Sequence, residues 1–185
     1  RSLERSKLAP QHQGVRDLEG FLDERQSSVQ GQLTLDDFEK LALRNTSKYD
    51  VVSAIIANID QFELKDKISL VKLLLHIKNG GKELKFTYKI SDRGLEVDLS
   101  NNKGLRNIEP LKYLPIQYLD LSQNRELKIH KLTLMPLVEI VLTKTNFSDW
   151  ESLFKVSSLQ YLGISKGMKA HLPDLPKNIK LEIIK

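Results

Sequence analysis

The sequence of 185 residues contains no cysteine, which excludes disulfide bonds, zinc sites built on thiolates and cysteine nucleophiles. Its longest apolar run, residues 51–59, is interrupted by Ser53 and Asn58 and is too short to cross a bilayer. No stretch has the charged start, apolar middle and small-residue exit of a signal peptide. The lack of cysteine fits a reducing compartment, so we expect a cytoplasmic location away from membranes.

The histidines and acidic residues also lack the spacing that is typical of catalytic or metal-binding sites. The four histidines show no metal-ligand spacing; they are His12, His76, His130 and His171. Asp36 and Asp37 are adjacent, so their side chains diverge on a helix, and the pair fits capping better than acid–base chemistry. No glycine loop of the phosphate-cradling type and no nucleic-acid motif occurs. We therefore expect a protein that is not an enzyme, with no cofactor, metal, nucleic-acid partner or small-molecule substrate.

The chain divides at the point where the spacing of its apolar residues changes. Residues 1–14 are polar and aperiodic, which predicts a linker or flexible arm. Helical spacing then predicts a segment of about four helices over residues 15–81. These helices are expected to begin at Val15, after the capping Thr34, near Tyr49 and at Leu64, and glycines 80 and 81 end the last one. Residues 82–185 follow a period of two instead, and SDRG at 91–94 is a turn signal.

The second segment contains an internal repeat. The stretch YLDLSQN at 118–124 nearly copies VDLSNN at 97–102, with an offset of 22 residues at three positions. Two further units are centred on Leu142 and Ile164, and a degenerate last unit covers residues 179–183. Asn102 and Asn124 close the first two units and are expected to be buried, where their amides satisfy main-chain groups of neighbouring units. Thr145 and Gly167 occupy the equivalent positions later in the chain, and of these only threonine has a side chain that can donate a hydrogen bond.

This pattern resembles the leucine-rich-repeat family with 22-residue repeats, over about residues 84–185. The resemblance implies an α+β or α/β fold, in which a short solenoid with a parallel concave sheet follows an N-terminal cap of about four helices that covers the edge of its first strand. The residues at positions 147, 150, 153 and 156 would pack between the strands. Trp150 is thus expected in the core, although an exposed anchor is the alternative.

In this family the residues between the strand leucines face the concave surface. That face would carry the predicted partner-binding residues, namely Glu96, Asp98, Tyr118, Asp120, Glu139, Val141 and Tyr161. They form one column of alternating glutamates and tyrosines and a second column that begins with two aspartates. Carboxylates beside aromatic rings suit a basic partner. The competing interpretation is a solvated sheet face without a ligand.

The resemblance implies a non-catalytic scaffold or recognition module that binds another protein, or a neighbouring domain of its own chain. A second hypothesis comes from the first residue, which is Arg1 and not methionine. The chain would then be the regulatory or substrate-recruiting part of a larger enzyme, such as a kinase or ligase. Its catalytic domain would precede Arg1.

Overall fold

The computed structural model describes residues 34–43, 48–127 and 132–184. The chain divides into two compact units, residues 1–70 and 71–185. The predicted arm over residues 1–14 and the helix expected from Val15 lie outside the described residues. The predicted segment boundaries near residues 14 and 81 stay predictions.

The described part of the first unit is helical. Helix α1 covers Leu35–Leu43, α2 covers Lys48–Asn58, a 3-10 turn covers Ile59–Gln61, and α3 begins at Leu64 and ends at Lys78 in the second unit. The Thr34 hydroxyl accepts a hydrogen bond from the backbone N–H of Asp37 (3.4 Å), and the Asp37 carboxylate accepts one from the backbone N–H of Thr34 (2.9 Å). This reciprocal cap fixes the start of α1. The predicted helices after Thr34, near Tyr49 and at Leu64 are thus confirmed. The predicted capping role is confirmed for Asp37, whereas Asp36 forms an ion pair with Lys40.

The second unit is built on one six-stranded sheet with the strand order β1-β2-β3-β4-β5-β6. Its strands are β1 Thr87–Ser91, β2 Gly94–Asp98, β3 Ile116–Asp120, β4 Glu139–Val141, β5 Tyr161–Ser165 and β6 Lys180–Ile184. Short helical segments link the strands, namely Glu109–Tyr113, Leu132–Leu134, α4 Trp150–Phe154 and α5 Lys166–Lys169. None of the helices in the described ranges has the length and apolar character needed to cross a membrane.

The fold class predicted from the repeat, an α/β solenoid with a wholly parallel concave sheet behind a helical cap, is wrong. The sheet is mixed, because β1 pairs with β2 in antiparallel fashion while the other four pairings are parallel. The edge of β2 is therefore covered by a strand, and not by helices as predicted.

The physical reason for this difference lies in the turn between β1 and β2. Ser91 pairs with Gly94, so only Asp92 and Arg93 lie between the strands. Gly94 has a positive φ of 97°, and its neighbours Asp92 and Arg93 do not, as in a type I turn followed by a left-handed glycine. An added Cβ at Gly94 would lie 1.9 Å from the Gln117 side-chain oxygen, so that flexible side chain would have to move. The SDRG turn thus closes a hairpin, and a hairpin makes its two strands antiparallel.

The asparagines that close the first two repeat units are buried, as predicted. The Asn124 amide donates to the carbonyls of Leu121 (2.8 Å) and Leu99 (2.9 Å), and its oxygen accepts from the backbone N–H of Asn102 (2.9 Å). Asn124 therefore joins two consecutive repeat units of the sheet. Among main-chain groups, the Thr145 hydroxyl donates to the carbonyl of Leu142 (2.7 Å), which belongs to the same repeat unit.

One face of the sheet packs into the core. The leucines and isoleucines of β2 to β5 on this face are buried, and the connecting segments add buried residues such as Leu111, Leu132 and Leu153. Trp150 is buried in the same core and makes an edge-to-face contact with Phe147, with ring centroids 4.7 Å apart. The prediction that Trp150 is a core residue is confirmed.

Candidate functional site

The opposite face of the sheet collects the residues that the repeat pattern singled out. Register pairs Glu96 with Tyr118, Tyr118 with Glu139, and Glu139 with Tyr161. The next column, in strand order, is Asp98, Asp120, Val141 and Gly163. The edge strands extend both columns, with Lys89 and Thr87 on β1 and with Lys180 and Glu182 on β6. We call these twelve positions the polar sheet face.

Glu96 is held by residues of the β1–β2 hairpin. The Ser91 hydroxyl donates to its carboxylate (2.6 Å), and the Arg93 guanidinium lies 3.5 Å away. The Ser91 hydrogen bond is the largest cause that lowers the pKa of Glu96; burial opposes it to a smaller extent, and the nearby charges of Arg93 and Lys89 lower the pKa further. Glu96 is thus an ionised carboxylate at neutral pH, and the hairpin provides its partners.

Arg93 also extends over the next two strands. Its guanidinium lies 5.8 Å from the centre of the Tyr118 ring and 3.4 Å from the Glu139 carboxylate. One cation thus contacts Glu96, Tyr118 and Glu139, which are three successive members of the first column. A guanidinium over a tyrosine ring is a favourable cation–π arrangement.

Tyr118 is half-buried at the centre of this group. Burial raises the pKa of its phenol, and the negative charges of Asp120, Glu139 and Asp98 raise it further. The phenol therefore keeps its proton at neutral pH and offers both an apolar ring and a hydrogen-bond donor. This combination is typical of residues that anchor protein interfaces.

The two aspartates of the second column end their strands in the same way. Asp98 accepts a hydrogen bond from the backbone N–H of Ser100 (2.7 Å), and Asp120 accepts one from that of Ser122 (2.8 Å). Each bond occupies one carboxylate oxygen and stabilises the turn that leaves the strand. Their negative charges still contribute to the potential of the polar sheet face.

The far end of the polar sheet face is less open. Val141 is only 7% exposed, and an added Cβ at Gly163 would lie 3.3 Å from Val141 and 2.8 Å from Ile184. Val141, Gly163 and Ile184 therefore form a small apolar patch, and Val141 offers little surface to a partner. Tyr161 lies beside this patch, and its hydroxyl donates a hydrogen bond to the Glu182 carboxylate.

A shallow depression of about 170 Å³ lies at the other end of the face, beside the hairpin. Its lining residues are Thr87, Tyr88, Lys89, Glu96, Val97, Asp98 and Tyr118. The depression is large enough for one side chain of a partner and far too small for a typical drug-sized ligand.

The other candidate residues are not brought together. His76 is exposed on α3, with Nδ1 3.0 Å from the carbonyl oxygen of Lys82, and His171 is exposed elsewhere in the second unit. His12 and His130 lie outside the described residues. In the portion of the chain that the structure describes, no group of three or more His, Asp or Glu side chains could hold a metal ion.

Sequence reasoning missed the contribution of the hairpin to this site. Ser91, Arg93 and Lys89 add a hydroxyl and two cations next to Glu96. The signal was available, because SDRG separates two runs of alternating apolar residues and such a turn favours a hairpin. A hairpin at this place puts residue 89 opposite residue 96 and the turn at the edge of the predicted face.

The Ser91–Glu96 hydrogen bond leads to a prediction about pH. Replacing Ser91 by alanine is expected to raise the pKa of Glu96 towards its usual value, because the largest cause of its lowering is lost. In the wild type, the stabilisation from this bond is present above the ordinary glutamate pKa and is lost as the pH falls through the lowered pKa. Carbon-detected NMR titration of the side-chain carboxyl groups measures the shift.

Glu126 is the internal control for this titration. Its pKa is lowered by a hydrogen bond and charge from Arg106, away from the hairpin. It is expected to titrate identically in the wild type and in Ser91→Ala. An unchanged pKa of Glu96 in the variant would contradict the assigned hydrogen bond.

Comparison of the chain with protein-family models, with curated proteins and with solved structures finds no match in any of the three. Inference about function therefore depends on the geometry and charge of the polar sheet face.

Proposed function

We propose that the second unit is a non-catalytic interaction module that binds a basic segment of another protein, or of a neighbouring domain, across the polar sheet face. The observation that carries this proposal is the first column, in which glutamates and half-buried tyrosines alternate on adjacent strands. Neighbouring strands lie about 4.8 Å apart, so the column offers a contact at each step of a segment laid across it.

The charge of the polar sheet face is opposite to that of the protein. Together with Arg93, the face carries the five carboxylates of Glu96, Asp98, Asp120, Glu139 and Glu182 and the three cations of Lys89, Arg93 and Lys180. Its net charge is therefore −2, whereas the whole chain has a net charge of +5. A local potential of this sign attracts a basic segment and orients it during encounter.

The tyrosines supply the desolvated contacts that charge alone does not. Rings at the centre of an interface contribute more binding energy than exposed ion pairs at its rim. The ring of Tyr118 has room for a cation on its face, because the Arg93 guanidinium already lies over it. Tyr161 is positioned two strands further along, beside the apolar patch of Val141 and Ile184. A segment with basic residues and one apolar residue would match this order.

A charge-reversal experiment tests the proposal. The face variant carries Asp98→Lys, Asp120→Lys and Glu139→Lys. The control variant carries Glu63→Lys, Glu151→Lys and Asp174→Lys, which change the total charge by the same amount at exposed positions off the sheet. Wild type and both variants are immobilised and exposed to lysate, and circular dichroism confirms that each is folded.

Wild type and control variant are expected to capture the same protein with a basic segment, and the face variant is expected to lose it. Loss should exceed tenfold, because three attractive charges become repulsive. Raising the salt concentration from about 50 to about 500 mM takes the charges from weak to strong screening, so it should weaken capture. Equal capture by all three proteins would refute binding at this face.

A further inference from the structure

Arg93 occupies the position on the polar sheet face where a bound cation would be expected. It projects from the hairpin turn, and its guanidinium contacts the Glu96 carboxylate, the Tyr118 ring and the Glu139 carboxylate. These groups lie on three adjacent strands, β2, β3 and β4. No other cation within the described ranges is recorded over the ring of Tyr118.

The contacts of Arg93 are loose compared with those that hold its neighbours. Its two carboxylate distances are 3.5 and 3.4 Å, at the long end for such pairs, and its side chain is 60% exposed. Glu96 is held much more tightly by the Ser91 hydroxyl, at 2.6 Å. The backbone N–H of Arg93 donates to the same hydroxyl (3.2 Å), so the turn is fixed without the guanidinium. The Arg93 side chain can therefore swing away while the turn and Glu96 keep their places.

We propose that Arg93 occupies, in the free protein, the place over the Tyr118 ring that an arginine of the partner takes in the complex. Binding would then exchange one guanidinium for the other. This inference deepens the proposed function and rests on it. The exchange lowers the affinity for weakly matched cations, because any ligand must first displace Arg93. It also makes the site selective for partners that present arginine at this point of the segment.

Arginine fits this position better than lysine for a geometric reason. Glu96 and Glu139 lie two strands apart, about 9.6 Å between backbones. A planar guanidinium reaches towards both carboxylates through separate nitrogens while its face lies on the ring. A lysine ammonium is a compact point charge, so it approaches one carboxylate at a time.

Two synthetic peptides test the exchange, a fluorescein-labelled Gly-Ser-Gly-Arg-Gly-Arg-Gly-Ser-Gly and its counterpart with lysine in place of arginine. Their binding is measured by fluorescence anisotropy at low salt. The proteins are the wild-type chain, Arg93→Ala, Lys89→Ala and the double variant Arg93→Ala, Tyr118→Leu. Lys89→Ala is the matched control, because it removes one positive charge from the same face, opposite Glu96, and leaves Arg93 in place to lie over the Tyr118 ring.

Arg93→Ala is expected to bind the arginine peptide about fivefold more tightly than the wild type, since the ring is uncovered and neither carboxylate is any longer paired with the Arg93 guanidinium. Lys89→Ala should change the affinity by less than about twofold, as expected for a rim charge. The affinity for the lysine peptide should increase no more in Arg93→Ala than in Lys89→Ala. The double variant should lose the arginine-specific gain, and Arg93→Gln replaces Arg93→Ala if the latter unfolds.

Equal gains in Arg93→Ala and Lys89→Ala would overturn the exchange and leave only general electrostatics. Failure of the arginine peptide to bind any of the proteins would overturn it as well. Either result is separable from the proposed function, which depends on the face variant losing its captured protein. If the face variant also keeps that protein, both proposals fail.

Discussion

Replacing Asn124 by alanine is expected to lower the free energy of unfolding of the second unit by about 3 kcal/mol. Asn124 is 1% exposed, and its side chain joins two consecutive repeat units. Alanine would leave the N–H of Asn102 and the carbonyl of Leu121 buried without these partners. The carbonyl of Leu99 would keep its bond from the Asn102 amide (2.8 Å), which limits the loss. Urea denaturation followed by circular dichroism measures the change.

Two further variants make the Asn124 result specific. Asn124→Thr copies the residue at the equivalent position 145, where the hydroxyl satisfies the carbonyl within its own unit. Asn124→Thr should recover part of the stability that Asn124→Ala loses, because the hydroxyl replaces the bond to the carbonyl of Leu121. It should not restore the hydrogen bond from the backbone N–H of Asn102. Asn146→Ala removes an exposed amide that donates to the carbonyl of Arg125 (2.9 Å), and it should cost less than about 1 kcal/mol. Equal losses in Asn124→Ala and Asn146→Ala would contradict the role assigned to the buried amide.

Replacing Leu119 by alanine is expected to destabilise the second unit by about 3 kcal/mol, within the usual range for a buried leucine. Leu119 is completely buried and lies on β3, in register with Val97 on one side and Ile140 on the other. The cavity would open in the layer that holds the polar sheet face in place. Thermal and urea unfolding measure the loss.

The control is Leu134→Ala, because Leu134 is 59% exposed and its truncation should cost less than about 0.5 kcal/mol. Asp120→Ala, one residue further along the same strand, should cost at most about 1 kcal/mol through its bond to the N–H of Ser122. The contrast separates the packing side of β3 from its binding side. A Leu119→Ala protein as stable as Leu134→Ala would show that this face of the sheet is not a packed core.

Much of the polar sheet face could be predicted because two regularities of the sequence define it, namely the alternation of strand residues and the repeat offset. Strand residues alternate between faces, and an offset of 22 residues puts Glu96 beside Tyr118 and Asp98 beside Asp120. Two of the three confirmed helices begin or end at local signals, namely the Thr34 cap and the left-handed glycines 80 and 81.

The features that were missed depend on which strands become neighbours. Alternation in residues 84–90 predicts a strand and gives no direction, so the resemblance to a parallel repeat supplied the wrong one. Val141 and Ile184, some forty residues apart in sequence and two strands apart in the sheet, both lie close to Gly163 on the strand between them. The reach of Arg93 over Tyr118 follows from the antiparallel hairpin, and it could be deduced only after that hairpin was known.

The most direct test of the central claim is a chemical-shift map on isotope-labelled protein. The probe is a synthetic copy of the basic segment of whichever protein the wild type captures. Binding at the polar sheet face predicts the largest shifts at Tyr118, Glu139 and Tyr161, with those at Leu119 and Ile140 much smaller. Shifts concentrated outside the strands, with Tyr118 and Tyr161 unmoved at saturation, would contradict the account.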